Sequence, residues 1–141
     1  MTKMNLYHGS LSTLDIGSTL MTNPNGYTHQ PHCRDIETLF ESARPNHILH
    51  ARGEAVFLCD NIDDIDNTGG YNDHVYLVDV EDNSVEKSDL SWYTKAREQL
   101  EDGDIEAAKQ SAKHYWKGTT LEGVFEYRTD MATIIDKIEA N

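Results

Sequence analysis

Gly123-Val124-Phe125-Glu126-Tyr127-Arg128-Thr129, followed after a turn at Asp130 by Thr133-Ile134-Ile135-Asp136-Lys137-Ile138, decides the fold class of this 141-residue chain. Val124, Phe125 and Tyr127 are interleaved with polar partners, the pattern of a half-buried strand. The short turn predicts that the two segments pair as a hairpin. Two strands in immediate succession do not belong to a regular strand–helix alternation, so a doubly wound parallel sheet is excluded and an α+β fold is expected.

Working upstream, His74-Val75-Tyr76-Leu77-Val78-Asp79-Val80 is the clearest strand, opened by Gly69-Gly70. Ala55-Val56-Phe57-Leu58-Cys59, bounded by Gly53 and Asp60, is a continuous apolar run that reads as a buried strand. Leu6-Tyr7-His8 reads as a first strand ending at Gly9-Ser10. Leu11 to Leu20 reads as turns, Met21 to Pro31 as a loop, and Glu81 to Asp89 as a charged connection. Asn61 to Asn67 is acidic, with room for one helical turn.

Three helices fill the remainder. Asp35 is placed to cap Ile36 to Ala43, with Ile36, Leu39 and Phe40 on one face and Pro45 beyond the stop. Leu90 to Gly118 divides at Asp102-Gly103-Asp104 into two helices. Trp92, Ala96 and Leu100 mark the buried stripe of the first, and Ile105, Ala108, Ala112 and Tyr115 that of the second, which Gly118 ends. By length this is one domain, 1–141, able to bury about two-thirds of its unfolded surface.

Composition narrows the function classes. Asp and Glu number 25 against 12 Lys and Arg, a formal charge of -13. Such a chain repels a phosphate backbone, so stable nucleic-acid binding is disfavoured, while solubility or a basic protein partner is served. Cys33 and Cys59 form no C-x-x-C pair, which suits a reducing compartment. The opening Met1 to Asn5 is polar and the longest apolar run is far too short to cross a bilayer. A soluble, cytoplasmic protein without membrane contact is the expectation. His29, His32 and Cys33, with His47 and His50, lack the paired spacing of a zinc site, so no metal is expected. Asp60, Asp63, Asp64 and Asp66 lack the closing glutamate of a calcium loop.

Three segments carry the chemistry: Tyr7-His8-Gly9-Ser10, Gly53-Glu54-Ala55-Val56-Phe57-Leu58, and Glu126-Tyr127-Arg128-Thr129. Their order resembles the ADP-ribosyltransferase superfamily, in particular its diphtheria-toxin-like and poly(ADP-ribose)-polymerase-like branch with a His, Tyr, Glu triad. Glu37 to Pro45 followed by Arg52 looks like small phage and bacterial members. The resemblance implies a split, mostly antiparallel sheet core with flanking helices, and NAD as the donor of ADP-ribose. By position, His8 would bond the adenosine ribose, and the backbone of Gly9 and hydroxyl of Ser10 would hold the nicotinamide amide and its ribose. Phe57 stands where the family has tyrosine, keeping a stacking ring without a hydroxyl.

Glu126 is the catalytic candidate, because cleaving the nicotinamide–ribose bond develops positive charge on the ribose that a carboxylate near the 2′-hydroxyl stabilises. Glu122 is the rival, placed by strand alternation on the same face. The plain alternative for either is a solvated strand-face carboxylate. Arg52, and less so Arg44, are candidates for the NAD pyrophosphate, since a guanidinium fork matches phosphate oxygens. The implied acceptor is a macromolecule, a host protein if the chain is phage-encoded, in the host cytoplasm. Two other classes stay open: an RNA 2′-phosphotransferase-like enzyme, disfavoured by the shortage of basic residues, and an acidic inhibitor or nucleic-acid mimic without catalysis.

Overall fold

The computed structural model describes residues 3–10, 12–21, 34–52, 55–65 and 73–138. The loop expected over Met21 to Pro31, the cluster His29, His32 and Cys33, the motif residues Gly53 and Glu54, and the turn at Gly69-Gly70 lie largely or wholly outside them. Among the described residues the chain is α+β, with two antiparallel sheets and three α-helices. Strands β1 (Lys3–Ser10), β2 (Thr19–Met21), β4 (His74–Glu81) and β7 (Met131–Ile138) form one sheet in the order β1-β4-β7-β2. Strands β3 (Val56–Leu58), β5 (Glu86–Asp89) and β6 (Phe125–Thr129) form the other, in the order β3-β6-β5. A two-hydrogen-bond bridge joins them: Tyr7 N–H donates to the Cys59 carbonyl at 2.8 Å and Cys59 N–H to the Tyr7 carbonyl at 3.1 Å.

Alternation on each strand sets the layers. Leu6, Tyr76, Val78, Val80, Ala132 and Ile134 of the larger sheet meet Val56, Leu58 and Tyr127 of the smaller in one buried cluster. Each such fully buried large side chain contributes about 1.5–3 kcal/mol. The opposite face of the smaller sheet carries Glu126 and Arg128 to Tyr115 of the helical layer. That layer comprises α1 (Arg34–Ala43), α2 (Ser91–Glu101) and α3 (Ile105–Lys117) around Ile36, Phe40, Ala96, Ala108, Ala112, Tyr115 and Trp116. Asp104 accepts the Ala107 N–H at 3.2 Å to start α3, and Gly118, at φ 76°, takes the left-handed conformation that ends it.

Five expectations need correction. The segments about Asp130 do not pair as a hairpin: β6 has β3 and β5 on its two edges, so β7 pairs with β4 and β2 and meets β6 face to face. Glu86 to Asp89 is a strand and not merely a connection, its polar side chains finding partners that hydrophobic patterning cannot signal. Glu86 accepts the N–H groups of Leu49 and His50, and Lys87 lies 4.0 Å from the Phe125 ring centre. Within the stretch read as turns, Thr19 to Leu20 opens β2. Asp35 lies inside the first turn of α1, where its charge favours the helix dipole. Ile105, assigned to the buried stripe of α3, is 52% exposed because it begins the helix at the rim of the layer.

Candidate functional site

The three motif segments converge. His8 sits near the end of β1 opposite Tyr76, and its Nδ1 lies 3.5 Å from the carbonyl oxygen of Phe57. A carbonyl only accepts, so the contact is a hydrogen bond in the tautomer that carries the proton on Nδ1 and leaves the lone pair on Nε2. Burial lowers the imidazole pKa from 6.5, partly opposed by the Phe57 carbonyl, so His8 is neutral at pH 7. Gly9 beside it is buried, and the Ser10 hydroxyl accepts the Ser12 N–H at 3.1 Å.

Phe57 is opposite Arg128 in the β3–β6 register, and Ser88 is opposite Glu126 in β5–β6. All four therefore share the face that meets the helices. The guanidinium of Arg52, just ahead of β3, lies 5.0 Å from the Phe57 ring centre, 4.4 Å from that of Tyr93 and 5.4 Å from that of Tyr115. Its Nε donates to both Glu37 carboxylate oxygens at 3.2 Å, and its Nη1 to the Tyr115 hydroxyl at 2.7 Å and to Glu126 Oε1. Arg128 completes the group, donating from Nε to the His50 carbonyl at 3.1 Å and from Nη1 to Ser88 Oγ at 2.9 Å and the Tyr115 hydroxyl at 2.8 Å. The Tyr115 hydroxyl in turn donates to Glu126 Oε1.

Two guanidinium groups thus face two carboxylates in a buried, formally neutral cluster. Burial works against the charge on Arg52, but Glu126, Tyr115 and Glu37 outweigh it and hold the guanidinium protonated well above its ordinary range. Burial likewise raises the Tyr115 phenol, with Arg52 opposing, so it remains a donor. Removing one partner from such a group costs about 3–5 kcal/mol, because the other charge is left buried alone.

Glu126 is therefore no solvated strand-face carboxylate: it is 1% exposed. All its hydrogen bonds to described residues fall on Oε1; Oε2 receives none. Glu122 does not share its strand, since β6 begins at Phe125 and Glu122 lies exposed in the preceding loop. Arg44 is paired with Glu41 at 2.7 Å and bonded to the Ile48 carbonyl at 2.9 Å. Glu37, Tyr93, Tyr115 and Arg128 escaped the sequence reading of the site. The signal for Arg128 was there, two residues from Glu126 on the same face; Tyr115 stood on a core stripe, and its hydroxyl was the only hint.

No set of three or more His, Cys, Asp or Glu side chains suited to a metal ion exists among the described residues. His50 is bonded to the Ser84 carbonyl. A shallow depression of about 600 Å³ beside the β1–β3 bridge is lined by Tyr7, Asp60, Asn61, Ile62 and Asp63 and contains none of the expected NAD contacts. Asp60 there accepts the Tyr127 hydroxyl at 3.0 Å, and burial together with Asp60 raises that phenol to about 12. No helix among the described residues is long and apolar enough to cross a membrane. Compared with known proteins, the sequence matches no protein-family model and no curated protein.

Proposed function

We propose that the chain is an NAD-dependent mono-ADP-ribosyltransferase that passes ADP-ribose to a protein acceptor with release of nicotinamide, in the cytoplasm. The observation that carries this reading is the one-sided anchoring of Glu126: Oε1 is held by Arg52 and Tyr115, while Oε2 has no partner among the described residues. A carboxylate so fixed has one oxygen committed to orientation and one left to accept a ribose 2′-hydroxyl and to stabilise positive charge as the glycosidic bond breaks. His8 and Phe57 are joined to it through the Phe57 carbonyl, the Phe57 ring and Arg52, so the three motifs are elements of one connected group. On this reading the Nε2 lone pair of His8 accepts from the adenosine ribose, the Gly9 backbone and Ser10 hydroxyl hold the nicotinamide end, and the Phe57 ring stacks on nicotinamide.

The near-complete burial of Glu126 favours a second reading, in which the cluster only ties the helices to the sheet and the acidic surface engages a basic protein without catalysis. Incubating a cell extract with NAD labelled in the adenylate separates the readings. Covalent labelling of protein by wild type and none by Glu126→Gln is the expected result; no labelling and no NAD consumption by wild type moves the chain to the interaction class.

A further inference from the structure

We propose that Arg52 is a positioning residue which, clamped from behind by Glu37, fixes the orientation of the Glu126 carboxylate. This rests on the transferase reading above. Nε of Arg52 straddles both oxygens of Glu37 at 3.2 Å, and Glu37 is itself held by the Tyr93 hydroxyl at 3.0 Å. Phe57, Tyr93 and Tyr115 surround the guanidinium with their rings, fixing its place by cation–π contact. With its far edge held by Glu37 and its surroundings aromatic, the group has little freedom left, and Nη1 meets Glu126 Oε1 and Tyr115 together. The negative charge of Glu37 also balances Arg52, so the cation that orients Glu126 is itself compensated.

This arrangement argues against the pyrophosphate role expected of Arg52. A phosphate fork takes two parallel N–H groups. Nε and Nη1 are already engaged, and only Nη2 lacks a hydrogen bond to a described residue. Gripping a phosphate in fork geometry would release Glu37 or Glu126, leaving a carboxylate buried without its cation.

Measuring kcat, KM and the NAD dissociation constant for wild type, Arg52→Gln, Arg52→Lys and Glu37→Gln tests the assignment. Rates are normalised to NAD-binding sites counted by titration, so that partial unfolding does not imitate a catalytic loss. Misplacing a reacting group by about 1 Å costs on the order of a hundredfold. Arg52→Gln is therefore expected to lower kcat by about 10- to 100-fold with KM and the dissociation constant changed less than about threefold. Arg52→Lys, which keeps a cation for Glu126 but lacks the Nε–H shared by the two Glu37 oxygens, falls between. Glu37→Gln keeps its volume and serves if the Arg52 variants do not fold; it lowers kcat by about tenfold at unchanged KM. A tenfold rise in KM and dissociation constant at unchanged kcat returns Arg52 to the phosphate and overturns the proposal, as does an unchanged kcat in Glu37→Gln. Wild type without NAD turnover overturns the transferase reading and this role together, whereas an active wild type with unaffected variants overturns the role alone.

Discussion

Replacing Tyr115 by phenylalanine removes one oxygen and leaves a ring that packs against Phe40 at 5.0 Å and Trp116 at 4.8 Å between centres. That oxygen accepts from Arg52 at 2.7 Å and Arg128 at 2.8 Å and donates to Glu126. A hydrogen bond to a charged group contributes about 1.5–3 kcal/mol net. The three do not simply add, because Arg52 keeps Glu37 and Glu126, and Arg128 keeps Ser88 and the His50 carbonyl. A loss of about 2–4 kcal/mol follows, lowering the melting temperature by roughly 10 °C in a domain of this size. Tyr93→Phe is the comparison: its hydrogen bond to the Glu37 carboxylate at 3.0 Å contributes about 1.5 kcal/mol, the low end of the range for a charged group because Tyr93 is only half-buried. Urea unfolding of the three proteins at pH 7, followed by circular dichroism, gives both differences at constant m-value. A Tyr115→Phe loss under about 0.5 kcal/mol, or one no larger than that of Tyr93→Phe, would refute a buried cluster with Tyr115 at its centre.

Two further perturbations probe the Asp89 hydrogen bonds and the donor pocket. Asp89 accepts from Ser91 N–H at 3.0 Å, Leu121 N–H at 2.6 Å and Gly123 N–H at 2.8 Å, and also from the Ser91 hydroxyl. Burial alone would raise its pKa, but these donors outweigh burial and hold it below the ordinary 3.8. A folded value below the unfolded one means stability that is present above about pH 4 and lost as pH falls through the folded value. Asp89→Asn is therefore less stable at pH 7 by about 1–3 kcal/mol and has a shallower acid decline; identical acid slopes in unfolding experiments would remove Asp89 from the account. His8→Ala leaves the sheet intact and removes a ribose partner, so NAD affinity measured by calorimetry drops by about 5- to 150-fold, equivalent to about 1–3 kcal/mol. Wild-type affinity in a folded His8→Ala protein would separate His8 from the donor pocket.

How far the sequence was legible follows the physics of each segment. Strands with apolar alternation or apolar runs, such as 74–80 and 55–59, were placed to within a residue or two because side-chain periodicity reports a buried face. The break at Asp102-Gly103-Asp104 and the stop at Gly118 were legible because capping and a positive φ demand those residue types. β5 was not, since Glu86, Lys87, Ser88 and Asp89 are satisfied by hydrogen bonds and ring contacts arriving from distant segments. The β6–β7 hairpin failed for a related reason: local turn chemistry says nothing of which edges are already occupied. At the site, His8 touches the Phe57 carbonyl, and Phe57 and Glu126 are linked through Arg52, but nothing in the sequence signalled the burial of Glu126. That burial depends on Arg52 and Tyr115, which stand 74 and 11 residues from it in the chain.

Nicotinamide release from NAD, followed chromatographically for wild type, Glu126→Gln and Glu122→Gln at saturating NAD, decides whether Glu126 carries the chemistry. Loss of one well-placed electrostatic group lowers a rate by about a hundredfold to a thousandfold. Catalysis by Glu126 predicts that wild type and Glu122→Gln release nicotinamide at similar rates and that Glu126→Gln is slower by that factor. Its NAD-binding stoichiometry, measured in parallel to establish folding, is retained. No release by wild type, or release by Glu126→Gln at the wild-type rate, contradicts it.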